Sequence, residues 1–266
     1  MVDPQAGINP DELSNIAAAE KEHWWYRGMR LILAQILSRH VPVPASARVL
    51  EAGCGTGYNS DWLRQRYGWQ MIPVDLESRA LQYVRNLHVP NPVQADIAAL
   101  PFQDASFDLV LSLDVLVHLP RGEENRCLAE LSRVTKASGI VLLRVAALEA
   151  LRSRHSQYID ERQRFTRRRL IRALTQSGLR VRYCTYANSL LLPVAITIFR
   201  LWEPLMRKAP ATGIAKPPDW LNHFLYLPLA LEARWLRSGL RFPLGQSLIA
   251  VAEKSTPKSE PVAAYS

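Results

Sequence analysis

Cysteine is scarce in this chain. Cys54, Cys127 and Cys184 are the only three in 266 residues, an odd number spaced too widely for a disulfide framework or a thiolate metal cluster. That scarcity points to a reduced compartment. With the polar start Met1-Val2-Asp3-Pro4-Gln5, it predicts a cytosolic protein without a secretory leader. Long apolar runs are missing too. The longest largely apolar run without a charge is Ala187 to Phe199, short of the ~20 residues a spanning helix needs. No carboxylate and histidine cluster has ligand spacing, so no metal is expected. Acids are outnumbered: 24 Asp and Glu face 33 Lys and Arg, for a net charge of +9. The apolar fraction of 48% excludes general disorder, and the length suits one large α/β domain better than two.

What is present centres on Val49-Leu50-Glu51-Ala52-Gly53-Cys54-Gly55-Thr56-Gly57. A buried-strand pattern delivers an acid and then three glycines at alternate positions, which reads as a tight turn into a helix. Such a turn leaves backbone N–H groups bare for a ligand. The spacing is not the dinucleotide fingerprint G-x-G-x-x-G, because Tyr58 stands where the third glycine would fall. No Gly-Lys-Ser/Thr phosphate cradle follows either. A plain strand-to-helix turn remains the alternative.

Three more acids end short apolar runs: Asp75 after Met71-Ile72-Pro73-Val74, Asp96 after Val93-Gln94-Ala95, and Asp114 after Phe107–Leu113. A carboxylate ~20 residues beyond the glycine turn is where α/β nucleotide binders hold ribose hydroxyls, which fits Asp75. Strands are predicted at 47–52, 71–75, 93–95, 107–113 and 140–145, and helices at 60–67, 78–86 and 123–134. This alternation predicts a doubly wound, mostly parallel sheet whose ligands sit outside the strand C-terminal ends. Four acids on that edge, Glu51, Asp75, Asp96 and Asp114, suit a cationic ligand.

Taken together, E-x-G-x-G-x-G, Asp75, Ala95-Asp96-Ile97 and Phe107-Asp108-Leu109-Val110 resemble class I S-adenosylmethionine-dependent methyltransferases over residues 45–150. Arg162-Gln163-Arg164-Phe165-Thr166 and Phe242-Pro243-Leu244-Gly245-Gln246-Ser247-Leu248 resemble the type 11-like bacterial subgroup that acts on small molecules. One departure is Val117-His118, where many relatives carry Glu-His. A second is Glu161, where the subgroup often has His. The resemblance implies a Rossmann-like seven-stranded sheet with an antiparallel last strand, S-adenosylmethionine as cofactor, and a cofactor site at Glu51, Gly53, Cys54, Gly55, Gly57, Asp75, Leu76, Asp96, Ile97, Leu113 and Asp114. The segment before the core would fold over that site, with Trp24 and Tyr26 walling it beside Trp25, and with Arg27 or Arg30 pairing the methionine carboxylate. The same tryptophans could instead pack a helix onto the sheet.

The chain divides into N-terminal helices (1–44), a core (45–187), an apolar insertion between strands six and seven (188–243), the last strand (244–254) and a polar tail expected to be disordered (255–266). A first helix is expected from Asp11, its cap, to Glu22, and another over 31–37. Thr166 should cap a helix ended by Gly178, with strands at 180–186 and 247–253. The insertion is too long for a connection. It is open to four readings: a lid on an apolar pocket, an interfacial membrane element, a homodimer contact, or extra core. Ten arginines between 151 and 185 face only Asp160 and Glu161 within that stretch. They form either a surface for an anionic partner, such as the inner membrane face, or a solvated face.

An acceptor oxygen or nitrogen needs alignment and a base. His118 and His155 are the candidates, with Tyr158 and Arg164 on the substrate side, and each could equally be structural. The acceptor is expected to be small and amphiphilic or lipid-like, perched between an apolar insertion and a basic segment. Nicotinamide chemistry is opposed by the glycine spacing and by the lack of a Ser/Tyr-x-x-x-Lys pattern. Nucleic-acid methylation is not favoured, since Ser112-Leu113-Asp114-Val115 replaces the Asn/Asp-Pro-Pro-aromatic of base-amine modifiers. A non-catalytic cofactor-binding or membrane-surface module is the remaining alternative.

Overall fold

The computed structural model describes residues 10–206, 209–214 and 216–255. Helices α1 (Pro10–Ala19) and α2 (Trp24–His40) precede the sheet. Then β1 (Arg48–Ala52), α3 (Tyr58–Tyr67), β2 (Gln70–Asp75), α4 (Ser78–Asn86), β3 (Val93–Gln94), β4 (Phe107–Leu113), α5 (Glu124–Val134) and β5 (Thr135–Ala146) alternate. After a short α6 (Arg154–Tyr158) come α7 (Arg167–Gln176), β6 (Leu179–Ala187), α8 (Leu192–Ile196), a π-helical stretch Thr197–Trp202, α9 (Glu203–Met206), α10 (Asp219–Arg237) and β7 (Ser247–Lys254). The side chain of Asp11, the expected first cap, and most of the expected disordered tail lie outside the described residues. Thr166 does cap α7, its side chain accepting from the Arg169 N–H.

The seven strands form one sheet in the order β3-β2-β1-β4-β5-β7-β6. All run parallel except β7, which is antiparallel to both β5 and β6. Strict alternation along each strand divides the core in two. Leu50, Ile72, Val110 and Leu143 face α5 and α7, while Val49, Met71, Leu109 and Leu142 face α2 and α10. The strand order reverses between β1 and β4, so a crevice opens outside their C-terminal ends. β5 begins at Thr135, earlier than its apolar run suggests, because Phe107 pairs with Thr135 before a register shift restores the main ladder.

The apolar insertion divides between core and surface. α10 runs beside α2 in the same direction: the Trp24 N–H donates to Asn222 Oδ1 at 2.8 Å, and Arg39 donates to the Arg237 carbonyl at 3.2 Å. Gly28 makes the approach close, since a Cβ there would lie 2.3 Å from Leu229 Cδ1. Leu229, Ala233 and Leu236 are thereby buried in the core, with Glu232 beneath, donated to by the Ser189 and Leu190 N–H groups. The extra-core reading therefore holds for one face of α10 only. The basic stretch is also less bare than its sequence suggests. Arg152, Arg162, Arg164, Arg169, Arg180 and Arg182 each face a carboxylate, supplied in part by Glu149 just before the stretch and by the distant Glu124 and Glu253.

Candidate active site

Each glycine of the turn after β1 answers a different need. Gly53, Gly55 and Gly57 all hold positive φ, at 80°, 53° and 76°. A Cβ at Gly53 would lie 2.2 Å from Val115 Cγ2, and one at Gly57 would lie 2.6 Å from Val84 Cγ2. At Gly55 a Cβ would meet nothing within 4 Å. The first and third glycines are packing requirements; the middle one faces open space. The N–H groups of Gly53 and Cys54 both donate to the Val74 carbonyl at 2.8 Å, which pins the turn to β2.

That open space is a cavity of about 1020 Å³ at the C-terminal edge of the sheet, lined by all four strand-end acids. Asp75 accepts from the Gly55 N–H at 2.7 Å and the Glu77 N–H at 3.0 Å. Burial raises its carboxyl above the usual range, and those two donors oppose the rise. Asp96 accepts from the Ala98 N–H at 2.8 Å and so shapes the loop carrying Ile97. Glu51 is fully buried and takes a short hydrogen bond from Ser60; burial pushes its carboxyl up to about 7. Asp114 sits in left-handed backbone at the end of β4 and pairs with Arg144 at 2.7 Å.

The other wall comes from the N-terminal helices and the insertion. Glu12, Glu20, Trp24, Trp25 and Tyr26 line the cavity, joined by Phe199, Glu203 and Ile214. His23 caps α2 by accepting from the Trp25 N–H, and burial lowers its ring to about 4. Burial, with the Glu20 and Glu12 charges, pushes the Tyr26 phenol well up. Thr56 Oγ1 donates to Glu20 at 2.7 Å, tying the end of α1 to the glycine turn.

Most of the expected residues meet here, and four do not. Glu51, Gly53, Cys54, Gly55, Asp75, Leu76, Asp96, Ile97, Leu113, Asp114, Trp24, Tyr26, His118, His155 and Arg164 all line the cavity. Gly57 does not; it starts α3 and packs on α4. Arg27 is a correction. It is exposed and lies 4.6 Å above the Tyr226 ring, because one residue past Tyr26 a helix has turned by about 100°. Arg30, its alternative, is buried over Tyr58 and is not part of the lining. Tyr158 is likewise outside the lining. Sequence reasoning missed Arg144, Glu20 and Thr56. The signal for Arg144 was a lone cation in the apolar run Val141-Leu142-Leu143-Arg144-Val145; Glu20 had none, since its partner is 36 residues away.

The two histidines differ in what their rings are doing. His155 Nδ1 accepts from the Gly213 N–H at 3.0 Å, so that lone pair is taken. The His118 ring lies against the Asp160 backbone, whose hydrogen bonding favours the protonated ring and opposes the effect of burial. Burial lowers both histidines below their usual value. Arg164 is spoken for: it pairs with Glu161 through two contacts, at 2.5 and 3.1 Å, and donates to Ser156 at 2.8 Å.

Glu20 makes native stability depend on pH. Its carboxyl is raised by burial from 4.5 to about 7. The folded state binds that proton more tightly, so the stabilisation is complete below the unfolded value near 4.5 and is lost as pH climbs through about 7. The swing is at most about 3 kcal/mol. Glu20→Gln should match the parent near pH 5 and be more stable at pH 8, read from urea midpoints. Parallel midpoint profiles for the two proteins would exclude this assignment.

The comparisons with known proteins agree with this geometry. Residues 50–143 match the family model described as a methyltransferase domain. A probable S-adenosylmethionine-dependent methyltransferase of Mycobacterium tuberculosis is 36% identical over 124 residues, which is 46% of this chain and 42% of the relative. A malonyl-[acyl-carrier protein] O-methyltransferase of Erwinia pyrifoliae is 40% identical over 113 residues, 40% of each protein. The chain thus spans less than half the length of these curated relatives. Among solved structures, a chain of the Haloferax volcanii complex between the Trm112 methyltransferase activator and a methyltransferase superposes with a TM-score of 0.61. It is 20% identical, over 93% of this chain and 95% of that one. Haemonchus contortus phosphoethanolamine N-methyltransferase 2, holding S-adenosylhomocysteine, gives 0.54 at 18% identity over 85% and 52%. Residues 50–143 thus carry the match to a methyltransferase domain, and the seven-stranded Rossmann-like sheet built around them is the fold shared with the methyltransferase structures it superposes on.

Proposed function

We propose that the chain moves a methyl group from S-adenosylmethionine to an oxygen or nitrogen of a small acceptor with an apolar body. The observation that carries this is Gly55: the one turn glycine whose absent Cβ faces open space opens onto a cavity ringed by Glu51, Asp75, Asp96 and Asp114. The cradle fits the cofactor. Asp75 would hold the ribose diol, Asp96 and Ile97 would border the base, and the acids would favour a cationic sulfonium. When bound, S-adenosylmethionine supplies a methyl already activated by positive sulfur.

The protein's own share is to align the acceptor and remove its proton. At about 1020 Å³ the cavity exceeds the upper end of ordinary single-ligand pockets, which leaves room for a second molecule. Trp24, Trp25, Phe199 and Ile214 give the acceptor side an apolar wall. The malonyl-[acyl-carrier protein] relatives make an acyl-chain carboxylate oxygen one acceptor class to test. Nucleic acid is disfavoured by the neutralised arginines of the basic stretch.

His118 is the better base, since it lines the cavity while the Nδ1 of His155 is bonded to the Gly213 N–H. His118→Ala should lower kcat by ~10²–10⁴-fold with cofactor affinity kept, and His155→Ala by much less. Activity should fall on the acid side only below the ordinary histidine range, because burial depresses the His118 ring. The defining assay offers methyl-labelled S-adenosylmethionine with fatty acyl, amine and isoprenoid acceptors. Calorimetry showing no cofactor binding would end the proposal.

A further inference from the structure

The outer face of α10 is apolar where the outer face of a surface helix is normally polar. Trp220, Phe224, Leu227, Leu231 and Trp235 recur at helical spacing along one stripe, and all are exposed, Trp220 at 70% and Phe224 at 63%. The polar residues Asn222 and Glu232 are on the buried side instead. A second exposed set, Ile198, Leu201, Trp202 and Leu205, projects from the π-helical stretch and α9, with Leu205 at 75%. Glu232 links the two, since its carboxylate accepts from the Ser189 and Leu190 N–H groups that lead into α8.

The charges around this surface are one-sided. Arg200, Arg234 and Arg237 are exposed on the same elements, and among the described residues none faces a carboxylate. The acids there are engaged: Glu203 accepts from the Arg154 N–H, Asp219 meets Lys216 at 3.3 Å, and Glu232 is buried. No helix among the described residues is long and apolar enough to cross a membrane. Exposed aromatic and aliphatic side chains with a cationic fringe fit a helix lying in a headgroup layer.

We infer that the outer face of α10 and of the 197–206 stretch docks on an anionic lipid surface. A second copy of the chain fits less well, because its same face would offer these arginines no unengaged carboxylate. The arrangement also places the lipid beside the cavity. Phe199 and Glu203 line the cavity from within, while Ile198, Leu201 and Trp202 face outward from the same turns. An acceptor dissolved in the membrane would reach the reaction centre past a single layer of chain.

Vesicles of phosphatidylglycerol and phosphatidylcholine in equal parts test this on the full chain. It should co-sediment with them at low salt, release as salt rises, and ignore vesicles of phosphatidylcholine alone. Phe224→Asp with Leu231→Asp, and separately Arg234→Glu with Arg237→Glu, should each cut the partition coefficient by about tenfold or more. All four positions are exposed, and unchanged cofactor affinity and melting would verify the fold and keep this test independent of methyl transfer. Absence of co-sedimentation at low salt overturns the inference, as does full retention by both variants. A dimer in ultracentrifugation that Phe224→Asp/Leu231→Asp dissociates, without vesicle binding, would assign the face to a second copy instead.

Discussion

Gly55→Val should abolish binding of S-adenosylmethionine while the protein stays folded. The reason lies in the contrast between the three glycines. At Gly53 and Gly57 a Cβ would run into Val115 and Val84, so substitution there disturbs packing between the turn and its neighbours. At Gly55 nothing stands within 4 Å, so the valine meets no protein atom. What it does meet is backbone strain, because φ is +53° and an L side chain in left-handed backbone costs about 1–2 kcal/mol. A loss of that size lowers Tm by only a few degrees in a chain of this length. The valine methyls, however, fill the space in which the cofactor must touch the turn. Affinity should drop by more than about a hundredfold, since overlap with a ligand cannot be relieved by a fixed backbone. Calorimetry and a thermal melt on the same preparation decide the matter. If the variant binds normally, the turn is structural and the cavity floor lies elsewhere.

The parts of this site that could be read in the sequence share a physical cause. A parallel strand buried on both faces is a continuous apolar run, and an acid at its end marks where it emerges. Glu51, Asp75, Asp96 and Asp114 were therefore visible one by one, and the sheet carries all four to one edge. The antiparallel direction of β7 is not written in Ser247–Glu253 itself, and the family resemblance supplied it; its place between β5 and β6 is legible only in the sheet. Helix phase was harder. The cluster His23-Trp24-Trp25-Tyr26-Arg27 reads as one patch, yet α2 turns Tyr26 into the cavity and Arg27 out to Tyr226. Long-range pairing was invisible. Arg169 finds Glu124 and Arg182 finds Glu253, and no local count of charges could foresee either. The insertion failed in a related way. α10 is apolar nearly all round, so hydrophobic pattern does not say which side packs. Gly28 does, by admitting Leu229 and turning Trp220 and Phe224 outward.

Asp75→Ala should weaken cofactor binding by one to two decades. The Asp75 carboxylate already accepts from the Gly55 and Glu77 N–H groups, one on each oxygen. Each oxygen keeps a second lone pair, and the two together match a vicinal diol. A hydrogen bond to a charged group contributes ~1.5–3 kcal/mol, and about 1.4 kcal/mol is a decade in affinity. Alanine removes that and also leaves two backbone donors without their partner, so part of the loss could reflect a loosened turn. Asp75→Asn separates the two effects. Its amide keeps one acceptor oxygen for the Gly55 N–H and much of the shape, but presents one acceptor fewer to the diol. It should lose about one decade with a melting temperature near that of the parent. A ligand lacking the ribose hydroxyls gives the final control: the parent should bind it as weakly as Asp75→Ala binds the intact cofactor, and the variant should not discriminate between the two. Unchanged affinity in Asp75→Ala, or discrimination that survives the mutation, would remove Asp75 from the ribose and leave it as a clamp on the glycine turn.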